Sequence, residues 1–257
     1  MQLTAMAFFI GTIPGMFWIS RTGGIQQLRG LGWKVYAFGT AGLFGYHVLY
    51  FSALRNAPPA EAGLIAYLWP LLIVLFSGFL PGERVTTGHV SGAVMGFIGA
   101  ALLIGWSIAG LSAEATTGYL LALACAFTWS GYSVLSRRMN AVPTAAVTIF
   151  CLATAILSTG THLLLERTVW PVGGTAWLAI IALGLGPVGV AFYVWDFGMK
   201  HGNIHLLGVA AYAAPLLSTL VLILAGLAEP GPTLFIAAFL IAGGALVAAR
   251  GSFTANV

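Results

Sequence analysis

The chain is 257 residues long and 60% hydrophobic, with only 6% charged residues, a net charge of +4 and a mean hydropathy of +0.98. A soluble domain carries about 25% charged residues to keep its surface wet. These proportions exclude a water-covered globule, and the chain reads as an all-α polytopic membrane protein.

A helix needs roughly 20 apolar residues to cross the bilayer core. By that measure nine spans are expected, at about 2–19, 35–54, 59–79, 86–108, 117–136, 144–165, 175–199, 206–227 and 232–249. None of these runs shows the period-2 alternation of a transmembrane barrel. The separators carry turn residues, as in RTGG, NAPP, PGE and AEPGP, and are too short for a soluble domain. Met1 leads almost directly into the first span, with no cleavable signal pattern.

The second span holds Tyr46, His47 and Tyr50 inside an otherwise apolar run. At 100° per residue they fall at about 0°, 100° and 40° around a helix and so share one face. Polar side chains at this depth look into a bundle or a wet cavity, because lipid offers them no partners. They read as an aromatic, hydrogen-bonding cavity wall or, alternatively, as polar contacts between helices. The third span begins at Glu61, which reads as interfacial, and contains Tyr67, Trp69 and Pro70. A mid-span proline removes a backbone hydrogen bond, so a kink is expected at Pro70 and at Pro215 in the eighth span. Tyr67 and Tyr212 lie one turn earlier, beside the carbonyls such kinks would free.

Gly88, Gly92, Gly96 and Gly99 stripe the fourth span, which suits a close helix seam inside the protein or between copies; the oligomeric state stays open. Cys125 and Cys151 lie inside spans and read as small packing residues. The only aspartate, Asp196, precedes Lys200 by four residues, the spacing of a helical ion pair. A structural pair is the plainer reading and coupling-ion chemistry the sharper one. Trp18, Trp33, Trp106, Trp170 and Trp177 sit near span ends, as an interfacial belt would place them, whereas Trp69, Trp129 and Trp195 lie deeper.

With the loop before the second span placed inside and the sides alternating from there, Arg21, Arg29, Lys34, Arg84, Arg137, Arg138, Lys200 and Arg250 are cytoplasmic. Only Arg55 and Arg167 are outside, so the positive-inside rule sets a cytoplasmic C-terminus. The sequence also repeats. Residues 42–103, offset by 145, lie over 187–248 without a gap. Gly63, Ala66, Tyr67, Pro70, Leu71 and Leu72 then match Gly208, Ala211, Tyr212, Pro215, Leu216 and Leu217. The division expected is a first repeat at 1–110 and a second at 111–257. The second holds five spans and the first four, so a ten-helix design lacking its first helix is expected. Five is odd, so the two repeats have opposite orientation, the arrangement of secondary transporters.

AYLWPLLIVLF (residues 66–76) followed by PGER (81–84) resembles the drug/metabolite transporter superfamily in its EamA-type branch. YLWP, ACAFTWSGYSVLSRR and WDFGMKHGNIHLL resemble the aromatic amino-acid exporters within it. The resemblance runs along the whole chain. It implies inverted five-helix repeats around a central cavity, lined by Tyr46, His47, Tyr50, Tyr67, Trp69 and Trp129. It also implies export of aromatic or other neutral amino acids across the inner (plasma) membrane, with that small molecule and the lipid bilayer as partners. Another small metabolite or drug is the alternative substrate. No Walker A, HExxH or GxSxG motif is present, which argues against ATP drive and against an intramembrane enzyme, the more remote alternative. No cofactor, metal or nucleic acid is expected. Phosphorylated substrates are disfavoured, since no intramembrane Lys/Arg cluster exists to hold them.

Overall fold

Apolar runs surrounded by lipid can satisfy their backbone polar groups only by coiling into helices or closing into a barrel. The computed structural model describes residues 1–21, 23–104 and 112–255, and these are mostly helical with no strand among them. The helices are α1 (Gln2–Arg21), α2 (Trp33–Asn56), α3 (Pro59–Ala66), α4 (Trp69–Ser77), α5 (Thr87–Ile104) and α6 (Thr116–Arg137). They continue with α7 (Ala146–Leu165), α8 (Gly174–Leu183), α9 (Ala191–His201), α10 (Ile204–Ala210), α11 (Ala213–Leu224) and α12 (Pro232–Ala255). Among the described residues, eight stretches are long and apolar enough to cross a membrane. The remaining expected span, the second, is present as α2, whose 24 residues are ample in length. It falls short of the others in hydropathy because Tyr46, His47 and Tyr50 dilute its apolar content. Trp18, Trp33, Trp170 and Trp177 are exposed, as residues meeting an interface would be, while Trp106 lies outside the described residues.

Three spans are each built from two helices. In the third, α3 ends at Ala66 and α4 begins at Trp69. In the eighth, α10 ends at Ala210 and α11 begins at Ala213. The expected kinks therefore lie two to four residues ahead of the prolines. Pro70 occupies the first turn of α4, where its missing N–H is no loss and its fixed φ suits helix initiation. Pro215 takes the same role as the third residue of α11. In the seventh span, α8 and α9 are joined by a π-helical segment, Gly184–Val190, containing Pro187. The proline removes one hydrogen-bond donor, and the wider π turn accommodates that gap without ending the span.

The chain packs as two compact units, Met1–Phe51 with Leu135–His201 and Ser52–Val134 with Gly202–Val257. Each unit takes chain from both sides of residue 111. In the first unit α1 packs on α7 and on the π segment. Glycines permit that approach: a Cβ on Gly11 would come 3.1 Å from the Gly184 carbonyl, and one on Gly184 would come 2.6 Å from Ile10.

In the second unit the dominant packing is α5 against α12. The glycine stripe of α5 is an internal seam. A Cβ on Gly88 would meet Gly251 and the Val247 carbonyl, one on Gly92 would sit 2.4 Å from the Gly244 carbonyl, and one on Gly99 would reach the Ala237 carbonyl at 3.0 Å. Partner numbers fall as α5 numbers rise, so the helices are antiparallel. They are the helices that the 145-residue offset makes counterparts, which is the opposite orientation expected of the repeats. A Cβ on Gly96 would meet the Tyr212 ring at 2.6 Å. That ring is fully buried in a cluster with Ala100 and Ile241.

Candidate functional site

In the first unit the polar face of α2 is assembled as its spacing implies. Tyr46 and Tyr50, one turn apart, stack with ring centroids 6.0 Å apart and planes 4° from parallel. Tyr46 meets His47 edge-on at 5.1 Å. His47 turns its Nδ1 onto the Leu43 carbonyl one turn back, at 2.8 Å. That nitrogen therefore carries the proton and donates, since a carbonyl can only accept. Its ring is packed edge-on by Phe8 at 4.9 Å and Phe192 at 6.2 Å, and those two phenyl rings stack on each other at 5.6 Å. Phe8 and Phe192 are absent from the sequence-derived set, because nothing distinguishes them from other apolar residues of their spans.

In the second unit Tyr67 lies 6.2 Å from Trp69, and Trp69 meets Trp129 edge-on at 6.3 Å. Trp129 also lies 5.3 Å from Tyr132, a residue three positions along α6 whose spacing could have flagged it. The break between α3 and α4 positions this group, with Tyr67 closing one helix and Trp69 opening the next. All of these rings except Trp129 and Tyr132 are half-buried. The six expected lining residues thus form two aromatic groups, three residues in each compact unit. Glu61, expected at an interface, accepts a hydrogen bond from the Tyr119 hydroxyl.

The ion pair is formed and buried. Lys200 Nζ lies 2.7 Å from Asp196 Oδ2, with side-chain exposures of 3% and 2%. The pair is tied to the α6–α7 connection, because Thr144 Oγ1 donates to the same carboxylate oxygen at 2.7 Å and Lys200 donates to the Val142 carbonyl at 3.0 Å. Nearby, Arg137 donates to the Met199 carbonyl at 2.9 Å. Only the i,i+4 component of this network is visible in the sequence.

A further polar cluster was not visible there. His89 on α5 and His205 on α10 stack with centroids 4.0 Å apart, and His205 Nδ1 lies 3.7 Å from Glu83. Thr86 N–H donates to His89 Nδ1 at 3.2 Å. Among the described residues no group of three or more histidine, cysteine or carboxylate side chains is arranged to hold a metal ion. Cys125 and Cys151 are both buried free thiols.

The model of the EamA-like transporter family matches the chain twice, over residues 1–105 and 116–250. The chain is 57% identical over 249 residues to a protein named aromatic amino acid exporter YddG from Ancylobacter novellus, covering 96% of this chain and 86% of that protein. A protein of the same name from Salmonella typhimurium is 27% identical over 170 residues, covering 62% of this chain and 56% of the relative. A solved crystal structure at 57% identity superposes with a TM-score of 0.91, covering 96% of this chain and 85% of the other. The doubled family match, the antiparallel counterpart helices and the broken spans agree: this chain belongs to the EamA-like transporter family.

Proposed function

We propose that the protein is a secondary exporter of aromatic and other neutral amino acids, working by alternating access. The observation that carries this reading is the 57% identity, over 96% of the chain, to a protein named as an aromatic amino acid exporter. The two aromatic groups supply suitable chemistry. Offset or edge-on stacking of aromatic rings is worth about 0.5–1.5 kcal/mol per pair beyond the area buried, and tyrosine hydroxyls can meet an amino-acid headgroup. In this reading Tyr46, His47, Tyr50, Tyr67, Trp69 and Trp129 touch substrate, and Pro70 and Pro215 mark the hinges. The Asp196–Lys200 pair holds structure rather than carrying a coupling ion.

The test is uptake of labelled aromatic and aliphatic amino acids into liposomes containing the purified protein, with and without a pH gradient. Trp69→Ala and Tyr50→Ala should each lose on the order of 1 kcal/mol of substrate contact, a several-fold fall in transport per folded molecule. His47→Ala should alter selectivity more than assembly. Unchanged rates in all three, normalised to the detergent-stable folded fraction, would remove these residues from the substrate path.

The same reading places the protein in the inner (plasma) membrane with its C-terminus in the cytoplasm, from the excess of Lys and Arg on one set of loops. Reporter fusions or cysteine accessibility should locate Arg137, Arg138 and the C-terminus inside and Glu114 outside. Glu114 and Arg138 on one side would overturn the assignment.

A further inference from the structure

The offset of 145 residues gives four groups at the α3–α4 break an identical counterpart at the α10–α11 break, Gly63 and Gly208, Tyr67 and Tyr212, Pro70 and Pro215, Leu71 and Leu216, while Leu68 and Trp69 fall on Ala213 and Ala214. The two breaks are nevertheless engaged unequally. A break in a helix leaves amides without their usual carbonyl four residues back. At the first break this need is met from the other repeat, because Leu71 N–H donates to the Tyr212 hydroxyl at 3.0 Å. Tyr212 is fully buried, whereas Tyr67 is half-buried and leans on Trp69 and Tyr212. The glycines differ in the same direction. A Cβ on Gly208 would lie 3.0 Å from Val74 and 3.2 Å from the Pro70 carbonyl, so α10 is seated tightly on α4. A Cβ on Gly63 would meet nothing within 4 Å.

The hydrogen bond to Tyr212 and the close contacts of Gly208 describe an occupied seat, and at the symmetry mate the space beside Gly63 is open. All the residues needed to occupy the mate are present. We infer that Tyr212 and Tyr67 form a reciprocal latch. In the state described here, Tyr212 accepts from Leu71 and Gly208 is seated on Pro70. In the opposite state, Tyr67 accepts from Leu216 and Gly63 is seated on Pro215. Exchanging one buried hydrogen bond for a chemically identical one leaves the two states close in energy, as a bistable switch requires. The inference rests on the alternating-access reading, and inverted repeats are the architecture that permits it.

The seats can be read by disulfide cross-linking, without substrate. With Cys125 and Cys151 replaced by serine, the pair Gly208→Cys/Val74→Cys reports the occupied seat. The offset makes Gly63→Cys/Thr219→Cys the reporter of the other. Both pairs should cross-link under mild oxidation. Tyr212→Phe keeps the ring and removes the acceptor, so it should slow the 208–74 cross-link and speed the 63–219 one, changing the ratio of rates by about tenfold. Tyr67→Phe should change the ratio in the opposite sense, and the double variant should return it towards the parent value. The latch is overturned if the 63–219 pair fails to cross-link in every background, or if the two phenylalanine variants move the ratio the same way. Uptake by the unmodified protein is scored separately. Working transport with no reciprocal shift rejects the latch alone, and absent transport rejects the function.

Discussion

Asp196→Asn is expected to cost about 3–5 kcal/mol of stability, the penalty for leaving one member of a buried ion pair uncompensated. The asparagine carbonyl can still accept from Thr144. It can accept from Lys200 as well, but the ammonium, 3% exposed, would lose the negative charge that compensates its own. Melting in detergent should fall accordingly, together with the yield of folded protein. Transport per folded molecule should keep its dependence on a pH gradient. A coupling carboxylate gives the reverse pattern, with normal stability, exchange of substrate and no response to the gradient. The double variant Asp196→Asn/Lys200→Met sharpens the distinction. Removing both charges is often near neutral for a buried pair, so it should recover most of the stability lost by the single change.

The second large effect is expected at the α5–α12 seam. Gly92→Ala puts a methyl 2.4 Å from the Gly244 carbonyl and 3.0 Å from Ala248. The first obstacle is backbone, which cannot swing aside as a side-chain tip can. Overpacking of this kind costs about 1–3 kcal/mol, and Gly92→Leu should prevent the folded protein from accumulating at all. Gly160→Ala on α7 is the control, because a Cβ there meets nothing within 4 Å. In a helix interior that change should be neutral or gain roughly 0.5–1 kcal/mol. Equal losses at Gly92 and Gly160 would show that the seam contact is not what sets the cost at Gly92.

The spans were legible because hydrophobic length is a strong and local signal. The Asp196–Lys200 pair was legible because both members lie on one helix, one turn apart. Its anchors at Val142 and Thr144 come from a distant connection, and nothing in their identity announces them. Pro70 and Pro215 signalled an interruption but not its position. A proline is most comfortable in the first turn of a new helix, so the break precedes it. The sequence reading also paired Tyr212 with freed carbonyls, whereas the group it answers is the amide of Leu71. The π segment had a signal that passed unread, the crowding of Gly184, Gly186, Pro187 and Gly189 within six residues. Phe8 and Phe192 could not have been chosen, since only the folded chain brings them to His47.

The seam has one more property, which bears on how such a protein could arise. Gly92 faces Gly244, the position that the offset assigns to Gly99, and Gly99 faces Ala237, the position that it assigns to Gly92. Residue i meets the image of j while j meets the image of i, the signature of an isologous contact about a two-fold axis. A surface of that kind is complementary to itself and needs no second gene. A half-length polypeptide carrying one repeat could close the same joint as a homodimer, provided it inserted into the bilayer in both orientations. Fusion of two copies then fixes the orientation of each and frees them to diverge, as Gly92 and Ala237 have done.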